Sequence, residues 1–89
     1  MTDRPNSLLE FPCSFPLKAI GVGPDDFEAL VVSIVRRHVP GLTVDAVTSR
    51  SSQGGKYLAV TATFTAESKE QLDALYLELS SHERVLMLL

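Results

Sequence analysis

Eighty-nine residues provide for one domain and exclude a second core, since domains begin at about 50 residues. A chain that is 45% hydrophobic and 21% charged is not a disordered or low-complexity one, and a net charge of −3 excludes a generic attraction to nucleic acid or anionic lipid. Cys13 is the single cysteine, which excludes an intrachain disulfide and a cysteine metal cluster.

Residues 1–7 are polar, contain Pro5 and show no periodicity, which predicts a disordered tail ahead of one domain over residues 8–89. The start Met1-Thr2-Asp3-Arg4-Pro5-Asn6 lacks the apolar core of a signal peptide, and no later run approaches the ~20 apolar residues of a membrane span. The cytoplasm is therefore the expected compartment, without a membrane partner. Leu8-Leu9-Glu10-Phe11-Pro12 is apolar but broken by proline, as in an extended segment lying on the domain edge. From Phe15 to Gly21 the residues Phe15, Leu17 and Ala19 share one side and Lys18 takes the other, the pattern of a half-buried strand with Cys13 upstream of it.

Gly23-Pro24-Asp25-Asp26 suits a helix start, with proline at the first turn and acids at the positive end of the dipole. Phe27, Leu30, Val31, Ile34 and Val35 then form an apolar stripe, Arg36-Arg37-His38 suits the negative end, and Val39-Pro40-Gly41 stops the helix. Leu42 to Ser51 reads as a strand and Ser52-Gln53-Gly54-Gly55 as a turn. Leu58, Val60, Ala62 and Phe64 alternate with Tyr57, Ala59, Thr61, Thr63 and Thr65 in the clearest period-2 pattern of the chain. Ser68-Lys69-Glu70-Gln71 fits a capping box, and Leu72, Leu75, Tyr76 and Leu79 continue it as a second helix. Val85 to Leu89 is long enough for a closing strand.

The order β, α, β, β, α, β predicts an α+β domain of ferredoxin-like βαββαβ topology, a four-stranded antiparallel sheet with two helices on one face. Its expected core joins Leu17, Leu58, Val60 and Phe64 of the sheet to Phe27, Leu30, Ile34, Leu72, Leu75 and Leu79 of the helices. Several segments also resemble a known family. They are Leu9-Glu10-Phe11-Pro12-Cys13, Phe15-Pro16-Leu17-Lys18, Arg37-His38-Val39-Pro40, Gly55-Lys56-Tyr57-Leu58 and Glu70-Gln71-Leu72-Asp73-Ala74-Leu75-Tyr76, with His82. Together they resemble the YbeD-like family of small uncharacterised bacterial proteins, with departures at Ala59, where serine is expected, and Glu83, where proline is expected. The resemblance implies a ferredoxin-like fold similar to the ACT domains, which are amino-acid-sensing regulatory modules. It implies no reaction.

The fold hosts many functions, so each has to be argued from its own site. The loop Gly21-Val22-Gly23-Pro24 lacks the arginine of an acylphosphatase-like phosphate cradle, and no Cys-x-x-Cys pair is present for a metal carrier. The outward side of the third strand offers Tyr57 and then Ala59, Thr61 and Thr63, short of the two rings that RNA recognition needs. A dinucleotide turn would need glycine where Asp26 stands. Cys13 could serve as a nucleophile with His38 or His82, although no motif joins them, and otherwise it packs as a small hydrophobe.

The expected function is thus a regulatory or adaptor domain without catalysis, cofactor or metal, acting through a protein partner, self-association as a homodimer, or a small carboxylate or amino acid. The competing class is an enzyme using Cys13 and a histidine. Ile20 with Leu86 or Leu88 is the expected interface on the open face of the sheet. Gly21, Val22 and Gly23 either form a carboxylate site at the helix start or simply permit a tight turn.

Overall fold

In the computed structural model, which describes residues 10–52 and 54–89, the chain forms β1 (Cys13–Val22), α1 (Pro24–His38), a 3-10 turn (Val44–Ala46), β2 (Val47–Ser51), β3 (Tyr57–Ala66), α2 (Lys69–Ser80) and β4 (Val85–Leu88). All strand pairs are antiparallel and the order is β2-β3-β1-β4. Each helix therefore leads to a strand parallel to the one it left, with one strand between them. This is the ferredoxin-like arrangement.

The register of β1 on β3 runs unbroken from Cys13↔Ala66 to Val22↔Tyr57. Side chains alternate across a strand, so Leu17 and Ala19 of β1 and Leu58, Val60, Ala62, Phe64 and Ala66 of β3 are buried together on one face. Phe27, Val31, Ile34 and Val35 from α1 and Leu72, Leu75 and Leu79 from α2 close over them. Every expected core residue lies in this cluster except Leu30, which is half-buried at its margin.

The start of α2 follows its sequence. Ser68 Oγ accepts from Gln71 N at 3.1 Å, and Gln71 Oε1 accepts from Glu67 N at 2.7 Å, one residue before the cap. Gln71 Nε2 also donates to His38 O at 2.8 Å, fastening the start of α2 to the end of α1.

Three expectations change. β1 starts at Cys13, two residues early, because β3 extends to Ala66 and supplies a partner there; Cys13 is part of the strand and half-buried against the core. β2 starts at Val47 and not at Leu42, because Leu42 is drawn into the core and the chain needs the 3-10 turn, Ala46 N to Thr43 O at 3.1 Å, to regain the sheet edge. The register of β4 shifts between Ile20 and Gly21, pairing Ile20 with Met87 and Gly21 with Val85, so Leu86 is the extra residue of a bulge. Leu88 then pairs with buried Ala19 and packs against the core, and it is Met87 that flanks Ile20 on the open face. The expected tail at residues 1–7, with Leu8 and Leu9, lies outside the described residues; Phe11 is half-buried on the core edge. No helix among the described residues is long and apolar enough to cross a membrane.

Candidate functional site: the bare sheet face and the turn beside it

The turn from β1 to α1 is built around Arg84. Its Nε and Nη2 donate to Val22 O at 3.2 and 3.1 Å, and Nη2 also reaches Gly23 O and Asp26 Oδ1, each at 2.5 Å. The guanidinium carbon lies 5.8 Å from the Phe27 ring centroid, and Val22 N donates back to Arg84 O at 3.3 Å. The hydrogen bond from Arg84 holds the Asp26 carboxyl below the usual carboxylate range, and the same bond raises Arg84. A Cβ on Gly21 would strike the Phe27 ring and the Arg84 carbonyl oxygen. Gly23 has φ 75°, and a Cβ there would stand 2.5 Å from Arg84 Nη2. The glycines of the expected carboxylate site are thus accounted for by a tight, cation-filled joint. No local pattern announces the role of Arg84, because its contacts lie as many as 62 positions away.

The bare face is different. No described strand residue is aspartate or glutamate, and the only charged ones, Lys18 and Arg50, both lie on this face. One row across the sheet reads Thr48, Thr61, Lys18 and the next reads Arg50, Ala59, Ile20, Met87. Lys18 and Arg50 border a shallow groove of about 300 Å³ floored by Ala59 and Thr61. A second depression of about 270 Å³ adjoins it, formed by Ile20, Arg50, Tyr57 and Ala59. The ion pairs among the described residues join Arg37 and His38 to Glu78, Lys69 to Asp73 and Arg84 to Asp26, so Lys18 and Arg50 have no carboxylate partner there. This surface can receive an anionic group beside an apolar one. Tyr57 is its single ring, while Phe15, Phe64 and Tyr76 pack together on the helix side at centroid distances of 6.0 and 6.3 Å.

Cysteine and histidines are placed apart in their bonding. His38 Nε2 meets Glu78 Oε1 at 2.7 Å, and His82 Nδ1 accepts from Arg84 N at 3.2 Å. Cys13 begins β1, whereas His82 adjoins the end where Gly21 meets Val85, eight strand residues or roughly 26 Å away. No hydrogen bond joins Cys13 to either histidine among the described residues. No three His, Cys, Asp or Glu side chains gather as a metal site among those residues.

Comparison with known proteins gives the family and the fold. The model of a family described as "Protein of unknown function (DUF493)" matches residues 6–89. This chain belongs to the DUF493 family. As the YbeD-like resemblance implied, its relatives are small bacterial proteins. A UPF0250 protein of Chromobacterium violaceum is 45% identical over 89 residues, covering 100% of both chains. One from Neisseria gonorrhoeae is 43% identical over 91 residues, again covering 100% of each, and one from Hahella chejuensis is 41% identical over 91% of this chain and 89% of its own. The solution structure of protein HP0495 from H. pylori superposes with a TM-score of 0.73, covering 91% of this chain and 85% of that one. At 11% identity it shows the fold of this chain alone.

Proposed function

We propose that this DUF493 protein is a non-catalytic regulatory or adaptor domain of the cytoplasm that docks a partner protein on its bare sheet face. The observation that carries the reading is the segregation of charge. In a chain of net charge −3 the strands keep two cations and no acid, beside Ile20, Ala59, Tyr57 and Met87. A partner that presents carboxylates next to an apolar side chain complements this surface. Face-to-face homodimerisation suits it less, because Lys18 and Arg50 of one copy would meet the same cations of the other. A small carboxylate at the Gly21–Gly23 turn would have to compete with the contacts of Arg84.

The test is affinity capture from the native cell with wild type, Ile20→Lys and the double variant Lys18→Glu/Arg50→Glu, followed by mass spectrometry. Wild type should enrich a partner that both variants lose, and capture should weaken with added salt. Capture that is indifferent to both variants removes this face from the function. Cys13 should react slowly with an alkylating agent in the folded protein; rapid modification near neutral pH would favour a catalytic thiol instead.

A further inference from the structure

β2 has five residues and β3 has ten, so their ladder ends at Val47↔Ala62 and, among the described residues, the last residues of β3 continue without a strand on that side. The direction of their main-chain groups follows from the register. Tyr57 O accepts from Ser52 N at 2.9 Å and Tyr57 N donates to Ser52 Oγ at 3.0 Å, so Tyr57 turns its main chain towards β2. Lys18, opposite Thr61, bonds Leu89 on the far side of β1 at 2.8 and 3.3 Å, which leaves Thr61 turned towards β2 as well. The β1–β3 register is unbroken, so the alternation carries on and Thr63 and Thr65 face the same way.

Beside Thr63 stands Ala46, whose N–H is bent back to Thr43 O at 3.1 Å. Thr63 C=O and the N–H and C=O of Thr65 consequently meet no partner among the described residues. They open into a groove of about 380 Å³ whose opposite wall is the loop Val39–Thr43. The corresponding overhang of β1, on the β4 side, includes Pro16, which has no N–H to offer. The β3 overhang carries no such block.

We propose that this notch takes an extended segment of a partner protein as an added strand in line with β2, a docking site separate from the bare face. Main-chain donors and acceptors at ladder spacing call for another main chain. The register also states the side chains. The residue opposite Thr65 would point to the bare face beside a hydroxyl and is polar. Its two neighbours would lie opposite Phe64 and Ala66, towards Val39 and Leu42, and are apolar.

Amide NMR tests this with the synthetic peptide acetyl-Lys-Val-Thr-Val-Lys-amide. In the free protein, Thr65 N–H should exchange at least about 100-fold faster than Phe64 N–H, which faces β1. Peptide should shift the amides from Thr63 to Glu67 saturably and slow Thr65 exchange at least about tenfold, equally in Lys18→Glu/Arg50→Glu. A peptide methylated on its threonine nitrogen should lose the effect. Protection of Thr65 in the free protein, absence of saturable shifts at millimolar peptide, or equal binding of the methylated peptide would overturn the proposal. Loss of peptide binding in the double variant would place the peptide on the bare face and overturn it too.

Discussion

Arg50 on β2 and Arg84 in the turn before β4 stand at opposite edges of one sheet and use the same group in opposite ways. Arg84 spends its donors on Val22 O, Gly23 O and Asp26 and lies against the Phe27 ring. Arg50 has Thr48, Ala59 and Ile20 around it and no carboxylate among the described residues. A cation whose donors are taken up inside the fold is part of its architecture. One held out on a strand, next to apolar surface and without an acid, is available to something else. The same division separates the two faces of the sheet.

The largest effect expected on the helix-covered side is loss of packing. Ile34→Ala or Leu75→Ala empties a buried aliphatic site and should cost about 2–5 kcal/mol in denaturant unfolding. A loss below about 1 kcal/mol at both would mean that the covered face is not the core. Next comes the joint. Gly21→Val drives a branched side chain into the Phe27 ring and should cost about 1–3 kcal/mol by overpacking. Gly23→Val should destabilise as well, through its positive φ and Arg84, so a lost ligand in that variant would not by itself identify a ligand site. On the bare face Lys18→Glu/Arg50→Glu should change stability by less than about 0.5 kcal/mol. A large loss there would erase the contrast between the two arginines.

A smaller effect lies in alkaline solution. Burial raises the Tyr76 phenol, whose hydroxyl donates to Leu89 O at 3.2 Å. A folded-state value above the unfolded one favours the neutral phenol in the fold. Its contribution is complete below about pH 10 and declines as pH rises through the raised folded value. Stability measured between pH 9 and 12 should fall more gently in Tyr76→Phe than in wild type, and identical slopes would show that the phenol is not held in the fold.

The contrast between local and distant contacts also explains which features were legible. Period-2 alternation in β3, the apolar stripe of α1 and the Ser68–Gln71 box are patterns within a few residues of one another, and each became the element it suggested. The Gly21–Gly23 turn was legible as a turn, while its filling by Arg84 was not. Ile20 was placed on the bare face correctly from strand phase. Leu88 was not, because a one-residue bulge at Leu86 reverses the side chains that follow it, and no local pattern announces a bulge.

The sequence by itself determined the elements, their order, the core stripes and hence the ferredoxin-like topology, because short-range periodicity and capping depend on residues close along the chain. Tertiary structure alone decided the register of β4, the closure of the turn by Arg84, the meeting of Lys18 and Arg50 on a face whose strand residues include no acid, and the stretch of β3 that, among the described residues, has no strand on its β2 side. Each of these depends on which residues, tens of positions apart, the packed core brings opposite one another.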